Sequence, residues 1–484
     1  MNDTLPVYEE SAIPSSFMPT DQELAQTFKA YDIRGLSPTE IDATYARRLG
    51  TAVALKFKPK RVMVGWDIRT TSAELEGALV ESLVSSGIDV VRIGLCSTPM
   101  FNILLGLADG SFDLGVMVTA SHNPGKYNGF KVTLGDCSPV GQGSGMEELR
   151  DIFLGIDESW AKEGAPINCR GTVTEDPSAL DRYLDYVISL AHLPADMPKM
   201  KVAIDAGNGM AGAVVPRLLE KLPWIEATEL YFTPDGTFPN HEANPLKHET
   251  LNELIKTVKE QGCALGVAFD GDADRVGFVD EHGEQIPGDL LTGLLSQSVL
   301  LEHPDALVLY DVRSSWSVPE AIEEAGGHSE MCKVGHANIK RLMREKLATF
   351  AGELSMHFYF KQLWNCESGD FAMLLLLRRL AEEGKSLSSL WKPLLRYAKS
   401  EEINFTVKDA PAVMKQLEDA YAPSASTVSH TDGVRLEFVS PEGEREWWFN
   451  VRASNTEPLL RLNLEARTPE MLQEKLKELS ARIA

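Results

Sequence analysis

Between residues 61 and 93 a β-branched run, an amphipathic stretch and a second β-branched run follow one another: 61–65 reads as a strand, 72–86 as a helix and 89–93 as a strand. The alternation returns at 201–205 and 212–221, and it predicts α/β domains whose sheets are covered by helices. An internal echo sharpens this picture. VMVGWDIRTTS (62–72) and LVLYDVRSSWS (307–317) share an apolar strand, then Asp, an aliphatic residue and Arg, then hydroxyl residues, and VAIDAGNGMAG (202–212) is a more diverged third version. Strand–turn–helix units look alike in any α/β protein, so shared ancestry of these segments is an expectation. Towards the C-terminus the pattern changes: INFTV, VRLEF, EWWFNVRAS and LLRLNLEA read as strands and 469–483 as a closing helix, which predicts a small α+β domain. The apolar run 371–377, bounded by Asp370 and Arg378, is far shorter than the ~20 residues of a membrane helix and reads as a buried helix. The first 24 residues are rich in Pro, Ser and acids without a hydrophobic period; they predict a flexible or loosely docked arm, with order beginning near Glu23.

The 484 residues exceed one ordinary hydrophobic core and suggest about three or four domains. A hydrophobic share of 43% with 24% charged residues is that of a globular protein and excludes the disordered class. The net charge of −24, with no Lys/Arg-rich run, argues against nucleic acid as a partner. It also sets a condition on any anionic substrate, which the overall field would repel: basic side chains must gather at the site itself. The six cysteines are scattered, without the close pairs of a zinc site or the density of a disulfide scaffold, and fit a reducing compartment. The N-terminal segment carries acids where a secretion signal carries basic residues, so the expected location is the cytoplasm, with no membrane partner.

Four segments carry candidate chemistry. TASHNP (119–124) follows the apolar strand LGVMV, and its Ser121 sits before a proline that turns the chain, exposed as a nucleophile or phosphate carrier, or simply as a turn residue. Lys131 follows closely and offers a cation. DGDADR (270–275) lies between the apolar runs ALGVAF and VGFVD, and Asp270, Asp272 and Asp274 at alternate positions can turn oxygens onto one hard cation. An EF-hand calcium loop is the competing reading, because Glu281 stands twelfth from Asp270; Arg275 where that loop needs Gly, and strand-like flanks, count against it. GELSMH (352–357) presents Glu353, Ser355 and His357 close together, a set that can hydrogen-bond sugar hydroxyls. RASNTEP (452–458) places Arg452, Ser454, Asn455 and Thr456 in one loop between strands, which suits a phosphate dianion.

In this order, the four segments together resemble the α-D-phosphohexomutase family, in its phosphomannomutase/phosphoglucomutase branch. The resemblance runs from about Lys29 to the end and includes KAYDIRG (29–35), NGFK (128–131), KVGH (333–336) and PDGTFPNHEANP (234–245). It implies an α/β fold of four domains around a central cleft, three similar α/β domains with mixed sheets plus a C-terminal α+β domain. The boundaries expected are an arm at 1–24 and domains at 25–168 (phosphoserine loop), 169–286 (metal loop), 287–398 (sugar loop) and 399–484 (phosphate loop). By the same resemblance Ser121 would be phosphorylated and, with Asp270, Asp272 and Asp274, would hold Mg2+. Arg34, Lys131 and Arg275 would line the reacting phosphoryl group, and His336 would contact the sugar. Glu353 and Ser355 would read its hydroxyls, and Arg452, Ser454, Asn455 and Thr456 would hold the other phosphate.

The reaction implied interconverts hexose 1-phosphate and hexose 6-phosphate, of mannose or also of glucose, through a hexose 1,6-bisphosphate that must turn in the cleft. Lys131 and His336 remain alternatives for the general acid/base. Met356, where relatives place a small residue, and Glu367, where Asp is common, predict a narrower or differently shaped pocket. A phosphatase using the same serine and a sugar-phosphate sensor are the competing readings; the oligomeric state, monomer or dimer, stays open.

Overall fold

A computed structural model describes residues 20–156, 170–453 and 459–483. Within it one topology recurs three times. Strands Arg61–Trp66, Asp89–Leu95, Leu114–Val118 and Tyr127–Leu134 lie in the spatial order fourth, third, first, second. The first is parallel to the second and the third, and the fourth is antiparallel to the third. Strands Met200–Asp205, Ile225–Leu230, Leu265–Phe269 and Val276–Asp280 repeat this order and these directions. So do Leu307–Asp311, His328–Cys332, Phe350–Gly352 and Phe358–Phe360.

The echo in the sequence therefore marks equivalent places: at the end of each first strand, or directly after it, stands an aspartate whose Oδ1 accepts the backbone N–H two residues on. The distances are 3.0 Å for Asp67 and Arg69, 2.8 Å for Asp205 and Gly207, and 2.7 Å for Asp311 and Arg313. The first sheet carries two further edge strands, Ile33–Leu36 and Val173–Glu175, the latter drawn from beyond residue 168. The third sheet adds Cys366–Glu367.

Helices cover these sheets, as their apolar faces require. The run 371–377 is buried within the helix Gly369–Glu383, which Ser368 caps by accepting Phe371 N–H at 3.1 Å and Gly384 ends in the left-handed conformation. The end of the expected arm joins a helix: Thr20 forms a capping box with Glu23 at the start of the helix Asp21–Gln26. The rest of the expected arm, residues 1–19, lies outside the described residues.

The last domain is an antiparallel sheet whose central strands are Val434–Val439, Arg445–Ala453 and Leu459–Ala466, with helices Ala410–Tyr421 and Pro469–Ile483 packed on it. Phe101, Ile204, Phe278 and Phe350, from the first three domains, belong to one continuous core, whereas Trp447, Phe449, Leu462 and Leu479 form a separate core in the last domain. Polar contacts hold that domain to its neighbour: Arg435 donates to the Val312 carbonyl at 2.5 Å, Trp316 N–H to Glu465 at 2.9 Å, and Lys399 pairs with Asp289. A seam of this kind permits rotation at lower cost than a shared apolar core.

Candidate active site

The three repeats place their functional loops at one topological position, the hairpin between third and fourth strands. That hairpin is 119–126 in the first domain, 270–275 in the second and 353–357 in the third. Strands, not helices, flank 270–275, which removes the EF-hand alternative. In the last domain Ser454, Asn455 and Thr456 lie outside the described residues.

Ser121 has φ 51° and is almost buried. Such a backbone in a residue other than glycine requires support, and Arg69 supplies it. Its guanidinium donates to the carbonyls of Ser121 and Asn123 at 2.6 Å and of Pro124 and Tyr127 at 2.9 Å. Thr119 Oγ1 accepts Ser121 N–H at 3.0 Å. The Ser121 hydroxyl lies 3.2 Å from His122 Nδ1 and 3.5 Å from Asp270 Oδ2. Burial, then Arg275 and Arg34, hold His122 neutral, so its ring can accept the serine proton. Close approach of the two hairpins needs Gly271, where a Cβ would come within 2.7 Å of the Ser121 carbonyl oxygen.

The carboxylates of Asp270, Asp272 and Asp274 are buried with ligand atoms within 4.8 Å of one another. Lys131 Nζ takes one oxygen each of Asp272 and Asp274 at 2.8 Å; the other oxygen of Asp272 is buried without a hydrogen bond, and that of Asp274 faces His357 Nε2 at 3.3 Å. Burial, then Asp274 and Asp272, push Asp270 well above the usual carboxylate range; Asp274, despite burial, is pulled well below it by Lys131 and His357. Burial opposes the charge on Lys131, but Asp272 and Asp274 outweigh it and keep the ammonium protonated. A hard cation would satisfy what is left over, the orphaned Asp272 oxygen and a carboxylate whose ionisation its neighbours oppose.

Arg34 stands on the first edge strand opposite Gly129 and donates to Asn123 Oδ1 at 2.8 Å, while also pairing with Asp32. Its buried Nε is without a partner. Arg275 is held by its N–H on Asp270 Oδ1 at 3.1 Å and bridges to His357, its Nε 3.2 Å from the ring Nε2. That Nε2 also lies 3.3 Å from Asp274 Oδ1, and it can accept from Arg275 or donate to Asp274, not both. Burial and Arg275 oppose a charge on His357, but Asp274 and Glu353 push its pKa up to about 9, which favours donation.

In the third hairpin Glu353 accepts Tyr359 O–H at 2.6 Å and Gly335 N–H at 2.9 Å, and lies 3.3 Å from His357 Nδ1. Ser355 Oγ is 3.0 Å from the same Nδ1. His336 opens the helix His336–Lys346 next to Gly335, where φ is 110° and a Cβ would strike the Tyr31 ring at 2.7 Å. Burial, then Lys340 and Lys131, bring the His336 pKa down to about 3, leaving a neutral ring. A cavity of about 650 Å3 opens beside this hairpin, with Ser355, Arg313, Lys247, Tyr397 and Glu402 in its wall.

Met356 lines this cavity as well, and its buried side chain packs between the second and third domains, 3.0 Å from where a Cβ on Gly277 or Gly288 would stand. Glu367 pairs with Lys340 at 2.5 Å. The structure unites Ser121, Lys131, the three aspartates, Arg34, Arg275, His336, Glu353, Ser355 and His357 around the facing hairpins. Arg452 is apart from that cluster and donates to Glu402 at 3.0 Å. Sequence reasoning passed over Arg69, Arg313 and Glu402; the repeated Asp-x-Arg after the first strands was the available signal for the two arginines.

Four family models match the chain in succession: phosphoglucomutase/phosphomannomutase alpha/beta/alpha domain I over residues 25–159, domain II over 181–283, domain III over 287–397, and the C-terminal domain over 402–482. A phosphomannomutase of Methanocaldococcus jannaschii is 38% identical over 459 residues, 94% of this chain and 97% of that protein. A protein of Xanthomonas campestris pv. campestris described as phosphohexose mutases is 38% identical over 448 residues, 92% of this chain and 96% of that one. The crystal structure of a phosphoglucomutase/phosphomannomutase family protein from Burkholderia thailandensis superposes with a TM-score of 0.81 at 30% identity, covering 95% of this chain and 97% of that one.

Proposed function

The chain belongs to the phosphoglucomutase/phosphomannomutase family and is a hexose phosphate mutase, and from that premise we propose that it works through a phosphoserine at Ser121, with mannose phosphate as its main substrate and glucose phosphate as a second. The observation that carries this reading is the Ser121 hydroxyl 3.5 Å from Asp270, on a hairpin facing three buried carboxylates.

Phosphoryl transfer needs in-line placement and neutralised charge more than covalent help from the protein. The phosphoserine gives its phosphoryl group to the free hydroxyl of a hexose monophosphate, whose proton passes to the protein. The bisphosphate then turns, and its other phosphate returns to Ser121. Asp270, Asp272, Asp274 and the phosphoserine are the ligands for a magnesium ion, which when bound neutralises charge on the group in transfer. Arg34, Lys131 and Arg275 add fixed cations there. Lys131, protonated, is the donor of the pair proposed for acid/base work, and the neutral His336 ring is the acceptor. Glu353, Ser355 and His357 hydrogen-bond the sugar hydroxyls, and Arg452 with Ser454, Asn455 and Thr456 grips the phosphate that does not react.

The test is phosphorus NMR of mannose 1-phosphate and, separately, glucose 1-phosphate with the protein, magnesium and a trace of hexose 1,6-bisphosphate. Appearance of the 6-phosphate, faster for mannose, is the expected result. Free inorganic phosphate as the product would favour a phosphatase, and an unchanged spectrum would defeat the reading.

A further inference from the structure

Glu402 stands in the connection between the third and last domains, and its carboxylate gathers cations from both. Oε2 accepts from Arg452 at 3.0 Å and from Asn463 Nδ2 at 3.1 Å, Oε1 accepts from Arg461 at 3.2 Å, and Arg313 approaches to 3.9 Å from the third domain. Arg452 and Arg313 are buried, whereas the Glu402 side chain keeps 20% of its surface exposed and faces the cavity beside the sugar hairpin. Arg313 in turn lies 4.0 Å from Glu353. A single acid thus serves three guanidinium groups, Arg313 being shared with Asp311, and this is the face on which the reading above seats the non-reacting phosphate.

We propose that Glu402 is a built-in stand-in for the substrate's phosphate: its carboxylate occupies the guanidinium groups of Arg452 and its neighbours in the free protein and yields them to an arriving phosphate dianion. This rests on the mutase reading for the identity of the phosphate. A dianion with three acceptor oxygens is a stronger partner for several guanidinium groups than one carboxylate, so the exchange runs forward on binding. It also runs backward with little penalty, because Glu402 returns to the buried Arg452 as the phosphate leaves. A bisphosphate that must release one end and rebind by the other needs such reversibility. Arg313 and Arg452 hold the Glu402 pKa down to about 2 in spite of burial, so the stand-in is charged at neutral pH.

Glu402→Gln keeps the shape and removes the competing charge. Inorganic phosphate, measured by calorimetry on the full-length protein, is expected to bind it about tenfold more tightly than wild type. In turnover, KM for hexose 1-phosphate is expected to fall by a similar factor and kcat to fall with it, since release and turning become slow. A rise in KM with unchanged kcat would make Glu402 a mere orienter of Arg452 and overturn the proposal, as would unchanged phosphate affinity. A crystal structure of the wild type with hexose phosphate bound supplies a check that does not depend on the variant's folding: Glu402 is expected beyond hydrogen-bond distance of Arg452, and a retained contact would overturn it. Failure of the mutase reading looks different, since wild type would then convert neither sugar phosphate while the calorimetric comparison still stood.

Discussion

Ser121 Oγ and Asp270 Oδ2 meet at 3.5 Å across 149 residues of sequence, each on the same hairpin of a repeated four-stranded unit. One hairpin geometry is used three times, carrying Ser121 in the first domain, the three aspartates in the second and Glu353, Ser355 and His357 in the third, and the packing of three domains on one core turns the three tips towards each other. The chemistry therefore depends on relations between domains as much as on residues within each.

Replacing Ser121 by Ala removes the proposed phosphate carrier and little else, because the Arg69 contacts to the loop are all to backbone carbonyls. Mutase turnover is expected to fall by at least about a thousandfold with the melting temperature nearly unchanged. Wild-type rates in the variant would end the phosphoserine mechanism.

Magnesium should stabilise the folded chain, since the three buried aspartates come together only in the native state. At a concentration of about 100 times Kd the gain is about 2.7 kcal/mol, visible as a rise in Tm. Asp272→Asn is expected to abolish most of that rise, and chelation to stop turnover. A Tm indifferent to magnesium in the wild type would argue against the site.

Much of this was legible in the sequence, and the limits have physical reasons. The aspartate loop could be read because three acids between apolar strands repel each other unless something holds them, and the Asp-x-Arg echo because equivalent strand ends need the same turn. Glu402 and the packing of Met356 were not legible, since each acts across a domain boundary and no local pattern encodes which surfaces will meet. Arg69 was hidden for a different reason: its partners are carbonyl groups, which every sequence possesses.

Arg69→Lys tests that hidden support. An ammonium cannot span four carbonyls and Asp67 as the guanidinium fork does. The variant is expected to lose about 2–4 kcal/mol of stability, from buried groups left without partners, and more than about tenfold in kcat as the serine loop relaxes. Thermal melts and steady-state kinetics check both; a less stable variant with full kcat would show that Ser121 holds its φ without Arg69.

Asp370 gives a pH dependence of stability separate from catalysis. It lies 1% exposed in the first turn of the helix Gly369–Glu383, where Tyr183 donates to Oδ2 at 2.6 Å and Oδ1 is buried without a partner. Burial, opposed by the Tyr183 bond, pushes its pKa up to about 6, against about 3.9 in an unfolded chain. The folded protein therefore binds this proton more tightly, and the contribution of Asp370 to stability is fully present below about pH 4 and is lost as the pH rises through about 6. Two pKa units correspond to about 3 kcal/mol at most. Asp370→Asn keeps an acceptor for Tyr183 and has nothing to titrate. The difference in unfolding free energy, wild type minus variant, should then decline between about pH 4 and pH 6 and level off above about 7. Measuring the difference cancels the titration of the remaining acids. A difference that stays flat across this window would mean that Asp370 ionises in the folded protein as readily as in the unfolded chain.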